Sequence, residues 1–192
     1  MRVSKAQAQA NRALIVETAS HLFRERGYDG VGVADLMAAA GFTHGGFYKH
    51  FGSKADLVAE SAACGISKTL ELTQAADAAQ FFDFYVSRKH RDSRDAGCTL
   101  AALGGDAARQ AENLKSIFAD GIDSLLATLA RNESGTDGDA SQEQRATLIG
   151  QLAQAVGAIV LSRACPDDSA LADEIINVCR AQLLAVAADE QG

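Results

Sequence analysis

The chain has 192 residues, 47% of them hydrophobic, with one proline and no tryptophan. It is long and apolar enough to bury a core as one large or two small domains. Its net charge of −7 hides a division: residues 1–54 hold seven Lys/Arg against four Asp/Glu, the remainder eleven against twenty-one. Only the front therefore suits a polyanion, and the acidic remainder should turn away from one.

Alanine is frequent and proline scarce, and no alternating β-branched run occurs, so an all-α protein is expected. The first residues, MRVSKAQAQANRALIVETAS, have no uninterrupted apolar core, and no signal peptide is expected. No segment approaches the ~20 apolar residues that cross a bilayer, so a cytoplasmic protein with no membrane partner is expected. Cys64, Cys98, Cys165 and Cys179 form no CxxC pair. The expectation is four free thiols, no metal site and no cofactor.

In chain order, a first helix is predicted over residues 5–26. Ile15, Ala19 and Phe23 form its apolar stripe, Leu14 and Leu22 widen it, and Gly27 ends it. A second fits 33–40, with Leu36 and Met37 inward and Gly41 at its end. A third fits 43–51, capped by Thr43, with Phe47 and Phe51 on one face. A fourth begins at Ser53, where SKAD has the form of a capping box with Asp56 reaching back. Helices then follow in AAQFFDFYVSRKHR, in GCTLAALGGDAARQA, and in ENLKSIFADGIDSLLATLARN with the stripe Leu114, Phe118, Ile122, Leu125 and Leu129. Residues 133–142 read as a Gly/Ser/Asp-rich loop. Two long helices close the chain. Leu148, Leu152, Val156, Ile159 and Val160 mark one; Leu171, Ile175, Cys179, Leu183 and Val186 mark the other, with Pro166 at the turn between them.

The stretch GFTHGGFYKHFGSK, residues 41–54, concentrates aromatic, basic and glycine residues. Two short helices joined by AGFT read as a helix-turn-helix. Ala40, Phe42, Phe47 and Phe51 can pack its core. Thr43, His44, Gly45, Gly46, Tyr48, Lys49 and His50 then surround the apolar seam. Gly45 and Gly46 allow close approach to a major groove, and Tyr48 and Lys49 offer donors to phosphate oxygens. Lys54 opens the next helix, whose free N–H groups also attract phosphate.

GFTHGGFYKHFGSKADLVAE resembles the recognition helix and following helix of the TetR family of transcriptional repressors, and VETASHLFRERGYDGVGVADLMAAAGF resembles the two helices before it. The resemblance covers residues 15–60; later helices resemble the family only in number, length and order. It implies an N-terminal three-helix helix-turn-helix domain (1–54) and a larger helical ligand-binding and dimerisation domain (55–192), about nine helices in all. It also implies a homodimer on a roughly palindromic double-stranded operator, released by a small-molecule effector that moves the fourth helix. Three residues depart from the family pattern. Gly32 stands where Ser or Thr often caps the second helix, Met37 replaces a small alanine, and His44 replaces a common lysine. The last predicts DNA binding that varies with pH near neutrality; a flat affinity between about pH 6 and 8 removes it.

Beyond that motif, Phe81, Phe82, Phe84 and Tyr85 form an aromatic cluster. Individually each reads as core; together they suit an apolar effector pocket with Phe118 and Ile122 as another wall. An apolar or weakly polar effector is expected. Cys98, at the start of a helix, reads as a small buried side chain or as a reactive thiol. RKHRD (88–92) reads first as a solvated helix end and second as an anchor for an acidic ligand. Leu148, Leu152, Val156, Ile159, Leu171, Ile175, Cys179 and Leu183 are assigned to a four-helix dimer interface. The reading is a ligand-released, non-enzymatic repressor. Its alternatives are a regulator switched at Cys98 by electrophiles or oxidants, and a small helical enzyme with Cys98 as nucleophile and His90 nearby.

Overall fold

The computed structural model describes residues 4–134 and 141–189. Among them are nine α-helices, one 3-10 helix and no strand. The α-helices are α1 (Lys5–Arg26), α2 (Val33–Ala39), α3 (Lys54–Thr73), α4 (Ala78–Tyr85), α5 (Arg88–Asp92), α6 (Thr99–Ala107), α7 (Glu112–Ser134), α8 (Gln142–Ala164) and α9 (Ala170–Asp189). The predicted loop over 133–142 falls mostly outside the described residues.

Helix α1 begins at Ser4, whose hydroxyl accepts the Gln7 N–H, and ends where Gly27 takes a φ of 75°. Ile15, Ala19 and Phe23 are fully buried as expected, whereas Leu14 is about half exposed. Helix α2 stops at Ala40, and Gly41 turns the chain with φ 80°. The predicted third α-helix is a 3-10 helix, His44–Lys49. Its Gly46 N–H bonds the Thr43 carbonyl, and the His50 N–H bonds that of Phe47. Two successive glycines in so short a segment remove helix propensity, and a tighter turn results. Thr43 precedes it in extended conformation but makes no side-chain cap.

Ser53 caps α3 through the Asp56 N–H; the reciprocal half of the expected capping box is absent. A complete box stands instead at Asp77 and Gln80, opening α4. The single helix expected over AAQFFDFYVSRKHR is two, because Val86 leaves the helical region and Ser87 starts α5 by accepting the His90 N–H. On α7, Leu114, Phe118, Leu125 and Leu129 are buried, but Ile122 is exposed.

One apolar cluster runs from Ile15 to Leu183. Helix α3 packs on α1 and α7, and α8 pairs with α9. Helix α8 is, contrary to expectation, long and apolar enough by composition to cross a membrane. Its Leu148, Leu152, Ala155 and Ile159 are buried inside the protomer.

The RKHRD segment departs furthest from expectation. His90 and Arg91 are buried rather than solvated. Arg91 donates to the Ser162 hydroxyl at 2.9 Å and to the Ser162 carbonyl, and pairs with Asp92 and Asp167. A guanidinium there satisfies the last carbonyls of α8 and suits the negative end of its dipole. In return, Arg163 of α8 donates to the carbonyls of His90 and Arg91 at 2.8 and 2.9 Å. Two arginines thus lock α5 to α8.

Candidate nucleic-acid interface and ligand cleft

The helix-turn-helix core is Phe23, Tyr28, Leu36, Met37, Phe47 and Phe51, each at most 3% exposed. The Phe47 and Phe51 rings lie 5.5 Å apart. Arg12 of α1, not singled out in the sequence, ties three elements. Its guanidinium sits 4.7 Å over the Phe51 ring, donates to the His50 carbonyl at 3.2 Å, and makes a bidentate pair with Glu60 of α3. Its only sequence signal was a basic residue one turn before the Ile15 stripe. The turn His44–Lys49 is therefore held from beneath by aromatics and from the side by Arg12.

The outer face carries Thr43, His44, Gly45, Tyr48 and Lys49, all exposed. Tyr48 is 69% exposed, an unusual place for a large aromatic without an external partner. A Cβ on Gly45 would meet nothing within 4 Å, so internal packing does not require glycine there. Gly46 and His50 are half-buried, and the His50 ring packs on Phe42 and Phe51. Lys54 differs from expectation: its ammonium turns inward to the Tyr28 carbonyl at 2.6 Å and lies 5.8 Å over the Phe23 ring. It closes the turn between α1 and α2. Gly32 precedes α2 without a side-chain cap, and Met37 is fully buried, with its methyl 3.6 Å from where a Gly46 Cβ would stand.

A second feature lies behind this head. A cleft of about 490 Å³ opens between α1, α3, α4, α5 and the start of α6. Phe81, Phe84, Leu72 and Ala76 supply apolar wall; Tyr85, Cys98, Arg24, His21, Lys68 and Lys89 also line it. Of the expected pocket residues, Phe81, Phe84, Tyr85 and Cys98 are present. Phe82 and Phe118 are buried in the core instead, and Ile122 faces outward on α7, which does not reach the cleft. Arg24, His21 and Lys68 were missed, because their convergence depends on the packing of α1, α3 and α5; Lys89 belongs to the RKHRD segment considered as an anchor for an acidic ligand.

His90 organises the cleft floor. Its Nδ1 donates to the Tyr85 carbonyl at 2.7 Å, and its Nε2 accepts the Cys98 N–H at 2.9 Å. Both ring nitrogens are thus engaged in the neutral form, and burial, aided by the Arg163 charge, holds its pKa below the ordinary value. That lone pair is committed to a backbone N–H, so His90 is not placed as a base for the Cys98 thiol. Cys98 itself is buried, and the cysteines are free thiols.

Helix α6 joins the two features. It begins at Cys98 in the cleft, and near its other end Asp106 accepts the Tyr28 N–H at 3.2 Å. The same carboxylate stands 2.7 Å from where a Gly27 Cβ would be. The turn that Lys54 closes from one side is thus gripped by α6 from the other.

A tethered helix-turn-helix with an exposed aromatic-basic face is carried on a larger helical body. Residues 15–61 match the family of bacterial regulatory proteins, tetR family. The chain is 43% identical over 58 residues to the HTH-type transcriptional regulator TtgR of Pseudomonas putida, and 37% identical over 59 to AcrR of Shigella flexneri. Those segments span 30% and 31% of this chain but only 28% and 27% of the relatives' length. The fold of the whole chain is similar to the reduced form of E. coli NemR, with TM-score 0.72 and 17% identity over 91% of this chain and 95% of that one. It is also similar to a TetR-family regulator from Cytophaga hutchinsonii, with TM-score 0.69 and 19% identity over 96% and 97%. Residues 15–61 thus carry the tetR-family sequence, and the fold of the whole chain is similar to that of TetR-family regulators.

Proposed function

We propose that the protein is a transcriptional repressor whose homodimer binds operator DNA and is released when a small molecule occupies the cleft. The observation that carries this reading is the path of α6, with Cys98 at the cleft and Asp106 on the Tyr28 turn of the DNA-binding head. Helix α1 takes the same course, with Arg24 in the cleft and Arg12 on the His50 carbonyl. A ligand that displaces α6 or α1 moves the platform of the reading turn. It then binds better to the arrangement that fits DNA poorly, and operator affinity falls by the reciprocal factor. No bond-making step is involved.

In this reading Thr43, His44, Gly45, Tyr48 and Lys49 face DNA, with Gly46 allowing close approach. Lys54 and His50 support that face from behind. The DNA-binding unit spans 1–54 and the effector and dimerisation unit 55–192. The expected interface needs rotation, because Leu148, Leu152, Ile159 and Leu183 are buried within the protomer. Exposed apolar side chains on α8 and α9 are Ile149, Val160, Leu161, Leu171, Val178 and Val186. They suit a second copy pairing α8 and α9 with their equivalents. The dimer would hold its two reading turns about 34–36 Å apart, one turn of DNA, or somewhat more, over a near-palindrome.

The test is binding of purified protein to the DNA upstream of its own coding region, across a salt series, with Tyr48→Ala and Lys49→Ala alongside. Preference over random DNA, falling steeply with salt and lost in both variants, supports the reading. No preferred sequence on that fragment or in a selection from random DNA overturns it.

A further inference from the structure

We infer that the cleft takes a hydrophobic monoanion, an apolar body bearing one carboxylate or similarly acidic group. This rests on reading the cleft as the effector site, and it replaces the apolar or weakly polar effector expected from the aromatic cluster.

Arg24 carries the argument. Its side chain reaches the cleft although the residue is only 6% exposed. Its Nε donates to the Asp95 carbonyl at 2.7 Å and its Nη1 to the Ser20 hydroxyl at 2.6 Å. Both acceptors are neutral. Among the described residues no carboxylate lies within 4 Å of this guanidinium, whereas Arg91, equally buried, has Asp92 and Asp167. Burial lowers the Arg24 pKa and the Asp95 charge, beyond pairing distance, offsets this only in part, so the buried cation keeps a cost. An anion in the cleft would remove that cost.

Three further observations point the same way. No aspartate or glutamate lines the cleft. Of its other cations, Lys68 is paired with Glu17, and His21 stands 3.8 Å from Asp95 at the rim. Lys89 has no carboxylate within 4 Å among the described residues. The Tyr85 hydroxyl is buried at the cleft beside the Cys98 thiol, with no nitrogen or oxygen partner. Burial holds that phenol in its neutral form, which leaves it as a donor for an acceptor oxygen. Last, a Cβ on Gly65 would stand 2.3 Å from Thr99 Oγ1, 2.6 Å from Arg24 Nη1 and 2.9 Å from Ser20 Oγ, so glycine here leaves room for the guanidinium and its neighbours.

The rest of the lining fixes the other end of the ligand. Phe81, Phe84 and Leu72 offer apolar surface and no charge, suited to an aromatic or branched hydrocarbon body. A cationic ligand would meet Arg24 and Lys89 with no acidic side chain to receive it. A neutral one would leave Arg24 unpaired. The net charge of −7 does not oppose the anion, since distant surface charge is screened within about 8–10 Å.

The experiment is calorimetric titration of the full chain with two matched series: naphthoate, naphthamide and naphthylmethylamine, then decanoate, decanamide and decylamine. In at least one series the acid should bind about tenfold tighter than the amide, and the amine weakest. Arg24→Gln, with its fold checked by circular dichroism, should shrink the acid–amide ratio to below about threefold. Lys89→Gln, at an exposed position on the cleft, should weaken the acid more than the amide, and it keeps the proposal testable if Arg24→Gln fails to fold. Amides or amines that equal the acids, or no binding by either acid up to millimolar concentration, overturn the proposal. DNA release is measured separately. Acids that bind without releasing DNA leave the ligand class standing and sink the effector reading. Neutral compounds that release DNA through the cleft do the reverse.

Discussion

The DNA-binding head and the helical body behind it are held together differently. The head is built mainly from close neighbours in sequence, Phe47 on Phe51, Phe23 edge-on to Tyr28 at 5.3 Å and Ser53 capping its own helix, with Arg12 and Lys54 reaching further. The body is held across long separations by guanidinium groups. Arg91 reaches Ser162 and Arg163 reaches back to His90, while Arg24 of α1 joins head to body at Asp95. In the proposed reading, the locally assembled head leaves its exposed residues free to face DNA, and a charged ligand competes for the polar locks of the body.

The largest effect expected from this contrast is on body stability. Arg91→Ala leaves the Ser162 carbonyl and the Asp167 carboxylate without their partner. We expect a loss of about 3 kcal/mol or more in denaturant unfolding. A change below about 0.5 kcal/mol would mean that the α5–α8 lock is incidental.

Surface changes on the head should behave oppositely. Gly45→Val and Tyr48→Ala are expected to shift stability by less than about 0.5 kcal/mol, since both positions are exposed. Each should weaken DNA binding by about tenfold to a hundredfold, read by fluorescence anisotropy. Variants that unfold before they lose DNA would show that the turn is structural.

At the join, Asp106→Ala removes the acceptor of the Tyr28 N–H. A stability loss of about 1 kcal/mol is expected, with DNA affinity less responsive to an effector. A fully retained effector response would exclude α6 as the route between cleft and head.

The smallest effect is a dependence on pH. An unfolded histidine takes up a proton near pH 6.5. Folded His90 does so only at lower pH, because burial favours its neutral form. Below about pH 6.5 the unfolded chain therefore binds more protons, and stability falls on acidification until folded His90 also protonates. His90→Gln should flatten the fall in melting temperature over that window; an unchanged slope assigns it to other groups.

Much of this was legible in the sequence where the physics is local. The bounds of α1, its Ile15–Ala19–Phe23 stripe and the Gly27 and Gly41 stops follow from periodicity and backbone freedom within a few residues. Phe47 and Phe51 were identifiable as core by their spacing. The apolar face of α9 is partly one position away from the expected stripe. Leu183 is buried as expected and Ile175 and Cys179 pack against the core, but Ala172 and Ile176 are buried while Leu171 and Val186 are exposed. Alanine-rich helices offer several nearly equivalent stripes, and only the packing partner selects one.

What the sequence determined alone is the local frame of the head: the glycine stops at 27 and 41, the aromatic core residues and the exposure of Tyr48 and Lys49, because each depends on residues within one or two helical turns. Tertiary structure decided the rest. It turned Lys54 inward, buried His90 and Arg91, and brought Arg24, Tyr85 and Lys89 to one cleft from three helices. A charged side chain takes its role from the partner it meets, and for Lys54, Arg24 and Arg91 those partners lie 26 to 71 residues away in the chain.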